Sequence, residues 1–417
     1  MENNCVIERN ALRYIIQFVK EHSVKRVFLV GDINTYPLAG VKIRDMLSEI
    51  AVESSFYILP KGIKEPNEIA VGSIMLHIDP SCDLIFGIGS GVINDLCKLT
   101  AGLLNRLFII VATAPSMDGY ASPLSSMVRD GLKVSIPTKR AELIVADIDI
   151  LKTAPLPMLK AGLGDMLAKY VSICEWRIGS LITGEPYDAE IAESVRRSLD
   201  KCVRNANGLL LRSDESIGAV FEGLVMCGEA MKKAGVSRPA SGAEHYFSHL
   251  WDMRGLEFGT PVELHGLQCA AATRICVNLY NKLKEVRPDR VRAIRHAQNF
   301  DVKQWNEALR NFLGRAAEPL IELEKREGKY CKEKHAERLS AIIDRYDDIL
   351  AIIEDELPSL EMLDNFYREL DMPTVSYSGD VIKMTVKAGK DIRNKYVLPH
   401  LLWDLGILDD LCEKIEG

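Results

Sequence analysis

Residues 83–99, DLIFGIGSGVINDLCKL, decide the class of fold. A short apolar run ends in three alternate glycines, Gly87, Gly89 and Gly91, and helical periodicity begins directly after them. Glycines allow a pyrophosphate to approach the backbone, and the start of a helix offers unpaired N–H groups to it. The loop therefore predicts phosphate binding at the end of a strand. Its GxGxG spacing differs from the GxGxxG fingerprint and also suits a plain strand-to-helix turn.

Similar alternation of apolar runs and helical stretches surrounds this loop through the first 150 or so residues. Strands are predicted at 24–32, 54–59, 83–91, 107–113, 133–137 and 141–148. Apolar strands separated by helices indicate a Rossmann-like parallel sheet with helices on both faces, here a nucleotide-binding α/β domain over residues 1–154. After the proline-rich TAPLPM at 153–158, long helical periodicities predict an all-α metal- and substrate-binding domain over residues 155–417, with the active site in the cleft between the two domains.

Two further loops follow predicted strands and carry polar side chains. In GDINT, Asp32 stands where a carboxylate can bind the ribose of a dinucleotide, although a turn or cap aspartate has the same position. In the loop at 112–127, Thr113, Ser116 and Ser122 are candidates to line the cofactor, and Asp118 is a candidate to bind a substrate hydroxyl. The alternative for this loop is a polar connector, since these residue types dominate ordinary loops.

Three of the eight histidines, His245, His249 and His265, lie within about twenty residues of one another. Neutral imidazole is the commonest metal ligand, and a carboxylate such as Asp165 would complete an open, catalytic type of site. The alternatives are hydrogen-bonded core histidines and a helix-start carboxylate. We therefore predict a metal bound by His245 and His265, and His249 is the histidine that spacing leaves least certain.

Composition limits the partners of the protein. A net charge of −7 over 417 residues offers no long-range attraction to nucleic acid or to an anionic membrane. The N-terminus lacks a signal-peptide pattern and no apolar run is long enough to cross a bilayer, which predicts a cytoplasmic protein. Ten scattered cysteines predict reduced, mostly buried thiols. The charged segment 321–338 is expected to be a solvated helix face rather than a binding patch.

Taken in order, the motifs GDINT, GIGSGVIND, TAPSMDGYASP, GLGDMLAKY, GAEHYFSHLWDM and LHG resemble the glycerol-1-phosphate dehydrogenases. This family belongs to the larger group of iron-type alcohol dehydrogenases, glycerol dehydrogenases and dehydroquinate synthases. The resemblance covers about residues 20–275 and is most specific in SGAEHYFSH. Ile88 departs from the common GGG form of the glycine loop, which leaves the fine geometry of that loop open.

The resemblance implies a role for each matching residue. The metal ligands would be Asp165, His245 and His265, with His249 a polar active-site residue. Pyrophosphate binding falls to Gly87, Gly89, Gly91 and Asp95, the ribose region to Asp32 and Asn34, and substrate contact to Asp118. Ser90, within the same glycine loop, is a further candidate to bind the cofactor. The metal would be zinc, nickel or iron, since the ligand set does not select among them.

The activity implied by the resemblance is NAD(P)H-dependent reduction of dihydroxyacetone phosphate to sn-glycerol 1-phosphate, a phospholipid precursor. The divalent metal acts as a Lewis acid in this expectation, and a homodimer is expected. The alternatives are an NAD-dependent glycerol (polyol) dehydrogenase, a lyase of the dehydroquinate synthase kind and, more remotely, a non-catalytic nucleotide-binding protein.

A phosphorylated substrate also requires cations or N–H donors. Lys160, Lys169 and Arg238 flank the metal motifs, and Arg238 is the preferred candidate because a guanidinium can bind phosphate through two hydrogen bonds. Each of the three is expected more often as an ordinary surface cation.

Overall fold

The computed structural model describes residues 4–63, 65–372 and 377–415. Contacts between Cα atoms divide the chain into two compact units. The first contains Met1–Met166 and Arg197–Gly235, and the second contains Leu167–Arg196 and Val236–Gly417. The predicted boundary at residues 154 and 155 stays a prediction, as does the predicted cleft.

A six-stranded parallel sheet forms the centre of the first unit, in the order β1-β8-β5-β4-β2-β3. The described strands are β1 (Cys5–Glu8), β2 (Arg26–Asp32), β3 (Glu53–Leu59), β4 (Leu84–Gly89), β5 (Leu107–Ala112), β6 (Leu124–Arg129), β7 (Leu132–Pro137) and β8 (Leu143–Asp147). Every residue of β4 and β8 is buried, as expected for strands covered on both faces. The predicted parallel-sheet domain is confirmed.

The sequence pattern did not predict two of the strands, β1 and β6. β1 is only four residues long and pairs with β8 at the edge of the sheet. β6 lies partly inside the loop that composition marks as a polar connector, and it pairs antiparallel with β7 in a separate hairpin. Its sequence LSSMVR carries serines that mask the strand signal.

The remaining chain is mainly helical, which confirms the predicted helix-rich C-terminal region. The described α-helices are α1 (Arg13–Glu21), α2 (Tyr36–Glu49), α3 (Glu68–His77), α4 (Gly91–Leu104), α5 (Ile148–Leu151), α6 (Leu156–Leu167), α7 (Lys169–Thr183), α8 (Ala189–Asn205), α9 (Asp214–Ala234), α10 (Ala243–Phe258), α11 (His265–Lys284), α12 (Arg290–Asn299), α13 (Val302–Leu313), α14 (Ala317–Glu327), α15 (Lys332–Asp344), α16 (Tyr346–Glu356), α17 (Leu360–Glu369), α18 (Gly379–Ala388), α19 (Leu398–Asp404) and α20 (Leu408–Glu413). Among the described residues, no helix is both long enough and apolar enough to span a membrane.

Two sequence expectations about side chains have different outcomes. None of the ten cysteines forms a disulfide and eight of them are buried, as predicted. The charged segment 321–338 is not simply a solvated face, because Glu324, Lys329 and His335 are buried there. The mixed charges of this segment do not reveal which of its side chains are buried. Helices α14 and α15 and the turn between them each bury one titratable side chain.

Candidate active site

Three loops meet at one edge of the sheet because they follow adjacent parallel strands. β2 pairs with β4 and β4 pairs with β5, so their carboxyl ends lie side by side. In the sheet, β3 lies on one side of β2 and β4 lies on its other side, so the chain changes direction across the sheet between β3 and β4. The gap between the ends of β2 and β4 is therefore a topological switch point. Open α/β sheets bind their ligands at such a point.

The glycine-rich loop joins β4 to α4, as predicted. Gly89 is the last residue of β4, and the carbonyl of Ser90 accepts the first helical hydrogen bond, from the N–H of Asn94 (2.9 Å). A Cβ at Gly89 would collide with the side chain of Ile93, whereas a Cβ at Gly91 would only touch Met117 at 3.4 Å. Gly89 is therefore required by local packing, and Gly91 leaves space beside the start of the helix.

Asp95 is buried in the first turns of α4 and is engaged by protein groups. Its carboxylate lies 3.2 Å from the Lys98 ammonium and accepts the N–H of Ser126 at 3.2 Å. Burial raises its pKa, and Lys98 opposes that shift. The Lys98 ammonium also donates to the carbonyls of Gly119 (3.1 Å) and Leu124 (2.6 Å). This buried pair fixes the loop before β6, and a pyrophosphate role for Asp95 stays a prediction.

Asp32 closes the turn after β2. One oxygen of its carboxylate, Oδ1, accepts the N–H groups of Asn34 and Thr35, each at 2.8 Å. The geometry thus matches the turn-aspartate alternative, while the ribose role needs only the second oxygen. Asn34 is exposed at the same edge.

The loop after β5 is held close to the glycine loop. The N–H of Thr113 donates to the carbonyl of Gly89 at 3.1 Å, and Thr113, Ser116 and Ser122 are all buried. Asp118 is half-buried, and its backbone N–H donates to the Asp165 carboxylate at 2.9 Å. The polar residues predicted to bind cofactor and substrate therefore lie on a loop with defined contacts.

Gly162 explains how Asp165 reaches this loop. A Cβ at Gly162 would overlap the carbonyl oxygen of Pro115, so α6 passes the loop backbone at a distance that only glycine permits. Asp165 follows one turn later with a fully buried side chain. The GLGD motif thus combines a close approach with a buried carboxylate.

Potential ligand atoms of Asp165, His245, His265 and Cys269 all lie within 4.8 Å of one another. His245 is in the first turn of α10, and His265 is the first residue of α11. Asp165, His245 and Cys269 are buried, and His265 is half-buried. The structure brings together the three predicted ligands and one residue that the sequence analysis did not select.

The hydrogen bonds around the imidazoles suit a metal. Nδ1 of His245 lies 2.8 Å from a Glu244 carboxylate oxygen, and Nδ1 of His265 lies 2.9 Å from the Ser248 hydroxyl. Such partners orient metal-binding histidines and leave Nε2 for the ion. Carboxylate, imidazole and thiolate are all zinc ligands, so the residues present fit a divalent cation.

Cys269 is the residue that sequence reasoning missed. Its sulfur lies 3.6 Å from Nε2 of His265, four residues earlier on α11. Burial raises the thiol pKa, but His245 and His265 outweigh it and the net pKa is lowered. The spacing HxxxC at 265–269 places both side chains on one helical face and could have revealed the pair.

His249 stays beside the cluster without belonging to it. Its ring stacks on that of His265, with 5.9 Å between ring centroids. It is half-buried. Its predicted role as a polar active-site residue stays a prediction.

Two carboxylates, Glu175 and Glu244, lie next to the start of α10, close to His245. Glu175 accepts the N–H groups of Ala243 and Leu398, each at 2.8 Å, and burial together with the nearby Glu244 raises its pKa. A Cβ at Gly242 would lie 2.5 Å from Glu175 and 2.7 Å from Glu244. Glycine at position 242 therefore admits both carboxylates next to the start of α10.

The three candidate phosphate cations are not surface residues, contrary to the expectation. Lys160, Lys169 and Arg238 are all buried. Lys169 donates to the carbonyl of Ala240 at 2.9 Å, and Arg238 forms an ion pair with Glu185. Their burial could not be predicted locally, because the groups that contact Lys169 and Arg238 come from segments distant in sequence.

The chain resembles proteins of known family. Residues 6–155 match the family model of iron-containing alcohol dehydrogenases. The chain is 31% identical over 323 residues to the glycerol-1-phosphate dehydrogenase (NAD(P)+) of Bacillus subtilis (strain 168), covering 75% of this chain and 82% of that protein. It is 32% identical over 275 residues to the protein of that name from Halalkalibacterium halodurans, covering 65% and 69%.

Among solved structures, glycerol dehydrogenase from Schizosaccharomyces pombe matches with a TM-score of 0.58 at 18% identity, over 98% of this chain and 89% of that one. At this identity the likeness shows the fold. Family membership rests instead on the two sequence relatives, which are 31% and 32% identical to this chain over alignments that cover 75% and 65% of it. The chain belongs to the glycerol-1-phosphate dehydrogenase family.

Proposed function

We propose that this protein reduces dihydroxyacetone phosphate to sn-glycerol 1-phosphate with NADH or NADPH, using a divalent metal. The cluster of Asp165, His245, His265 and Cys269 carries the proposal, because its ligand atoms lie within 4.8 Å of one another in a relative of glycerol-1-phosphate dehydrogenases. When bound, the metal supplies Lewis-acid polarisation of a carbonyl, and the nicotinamide supplies hydride.

In this proposal the residues of the chain divide the remaining work. Asp165 and the two imidazoles hold the metal, with Glu244 and Ser248 orienting the rings. His249, stacked on His265, passes a proton toward the oxygen of the substrate through a ring nitrogen. The glycine loop and the start of α4 bind the pyrophosphate of the cofactor.

The decisive experiment compares two ketones in the same enzyme preparation. We expect NADH oxidation with dihydroxyacetone phosphate to exceed that with dihydroxyacetone by about tenfold or more in kcat/KM, because contacts with a charged group stabilise the bound substrate. A preference for the unphosphorylated ketone would contradict the proposal and favour a polyol dehydrogenase. Added Zn²⁺ and Ni²⁺, in separate assays, identify the metal that supports turnover.

The cofactor preference, assembly and location belong to the same proposal. The Asp32 carboxylate favours NADH over NADPH, since a 2′-phosphate would meet a like charge. The net charge of −7 supports the absence of nucleic-acid and anionic-membrane partners. We also propose a homodimer in the cytoplasm. Light scattering coupled to size exclusion measures the subunit number directly.

A further inference from the structure

A cavity of about 520 Å³ in the second unit has a strongly cationic lining. Five basic side chains face it: Arg238, Lys329, Arg338, Arg393 and Lys395. Two carboxylates, Glu185 and Glu327, also line it, so basic side chains outnumber acidic ones among the lining residues. None of the residues of the metal cluster lines this space. We call it the Lys395 cavity.

Two of the cations already have carboxylate partners. Nε of Arg238 donates to Glu185 at 2.8 Å, and its Nη1 donates to the carbonyl of Tyr396 at 2.9 Å. Arg338 forms a two-point ion pair with the buried Asp404, at 2.7 and 2.8 Å. These guanidiniums are held rigidly, and their charges are largely balanced.

Lys329 and Lys395 are held differently. The Lys329 ammonium donates to the carbonyls of Lys390 (2.9 Å) and Arg393 (2.8 Å), and the Lys395 ammonium donates to that of Ser241 (2.7 Å). Within the described part of the chain, neither ammonium forms an ion pair with a carboxylate. An ammonium has three donors, so one N–H of Lys329 and two of Lys395 are left for a ligand.

A buried imidazole adds a polar atom to the same wall. His400 is 8% exposed, and its Nδ1 has no hydrogen-bond partner among the described residues. An unsatisfied buried polar atom costs free energy unless a ligand or water engages it. Burial and the nearby cations hold the pKa of His400 well below its usual range, so the ring is neutral and one tautomer offers an N–H from Nδ1.

Burial and neighbouring cations disfavour the charged form of both lysines. Burial, reinforced by Arg238, lowers the pKa of Lys395 to about 7. Burial also lowers that of Lys329 to about 8, against the opposing effect of Asp391. Both ammoniums would be stabilised by a bound anion, which would compensate for lost hydration and for repulsion between the cations.

We propose that the Lys395 cavity binds a phosphate group through Lys329, Lys395 and His400. A phosphate dianion supplies the several acceptor oxygens that these donors require, and lysines commonly bind phosphate as point charges. The volume exceeds that of a bare phosphate and admits a small phosphorylated metabolite. The inference rests on the charges of the cavity and does not depend on the proposed reaction.

Titration calorimetry of the metal-loaded protein with inorganic phosphate, at constant ionic strength, tests the site. We expect one phosphate per chain and at least a tenfold weaker Kd in Lys395→Gln. Lys303→Gln, which removes the same charge from an exposed position at the start of α13, is the matched control and should leave the Kd unchanged. Absence of binding to the unmodified protein, or equal affinities in the two variants, would overturn the proposal.

A second variant protects the test against misfolding of the first. Arg393 is exposed, and Arg393→Gln should weaken phosphate binding at least threefold; the melting temperature of each variant, measured alongside, separates lost binding from lost stability. Equal phosphate affinity in Arg393→Gln and the unmodified protein would contradict a site bounded by this guanidinium.

The source of the phosphate is separated by steady-state kinetics of Lys395→Gln. A raised KM for dihydroxyacetone phosphate at unchanged kcat supports a cavity that holds the phosphate of the substrate. An unchanged KM together with weakened binding of inorganic phosphate supports a site for a separate phosphorylated ligand. If the protein does not reduce dihydroxyacetone phosphate but binds inorganic phosphate in a manner that depends on Lys395, the phosphate site stands and only the proposed reaction is refuted.

Discussion

The central strands of the sheet and the helices of the second unit are stabilised in different ways. β4 and β5, with the sequences LIFGIG and LFIIVA, bury only apolar or glycine residues. The helices of the second unit instead bury charged groups with specific partners, such as Arg338 with Asp404 and Lys390 with Asp391. Apolar burial is non-directional, whereas a buried charge needs one particular neighbour. We therefore expect amino-acid substitutions to cost less stability in the central strands than at the buried ion pairs of the second unit.

The largest expected effect is at the metal cluster. Asp165→Asn should lower kcat by about a thousandfold or more, because loss of one electrostatic contact at a reacting centre already lowers kcat by about 10²–10³-fold. The amide can still accept the N–H of Asp118, so the loop should keep its conformation. Metal content by mass spectrometry and circular dichroism are measured together; a variant with full metal content and turnover would refute the ligand assignment.

The next effect tests the comparison of the two regions directly. Asp404→Asn should destabilise the protein by about 3 kcal/mol, because it leaves the Arg338 guanidinium buried without its anion. Ile110→Val in β5 should cost only about 1 kcal/mol, the usual value for one buried methyl group.

Urea denaturation gives both values, and Asp409→Asn, at an exposed ion pair with Lys387, is a control that should change stability by less than about 0.5 kcal/mol. Equal costs for Asp404→Asn and Ile110→Val would erase the distinction between the regions.

At the glycine loop, two substitutions separate packing from cofactor binding. Gly89→Val should destabilise the protein by about 1–3 kcal/mol, because its side chain collides with Ile93. Gly91→Ala has space beside Met117 and should retain stability while raising the KM for NADH several-fold. An unchanged KM in Gly91→Ala would place the pyrophosphate elsewhere.

Cys269→Ser should weaken zinc binding by about tenfold, the lower range for altered support of a metal site. Cobalt-substituted protein provides a readout that is independent of activity, since a sulfur ligand gives a charge-transfer band in the near ultraviolet. That band should disappear in the serine variant. Identical cobalt spectra in the two proteins would show that Cys269 is only a neighbour of the ligands.

The smallest effect concerns pH. Burial and Glu244 raise the pKa of Glu175, so the folded protein keeps a proton that the unfolded chain has already released. The stability from this group is fully present below the unfolded pKa and is lost as pH rises toward the raised value. Thermal unfolding between about pH 5 and pH 8 should thus show a smaller decline in Glu175→Gln than in the unmodified protein; an unaltered slope would exclude Glu175 as its source.

Sequence patterns predicted the parts of the molecule where local chemistry is decisive. The strands and the turn at Gly87–Gly91 follow from apolar runs and glycine spacing. β1 and β6 did not follow, because a four-residue edge strand and a serine-rich strand depend on their partners. Asp165, His245 and His265 could be selected from residue type and resemblance, whereas Cys269 required knowledge of which helical face meets the imidazoles.

By itself, the sequence determined the parallel sheet, the helix-rich remainder and the candidate ligands, because these depend on periodicity and residue chemistry. Only the tertiary structure decided which charged side chains are buried and what they contact. Arg238 and Lys329 look like surface cations in the sequence, yet both are buried and line one cavity. The physical reason is that the environment of a charge is set by distant segments, and no local pattern records it.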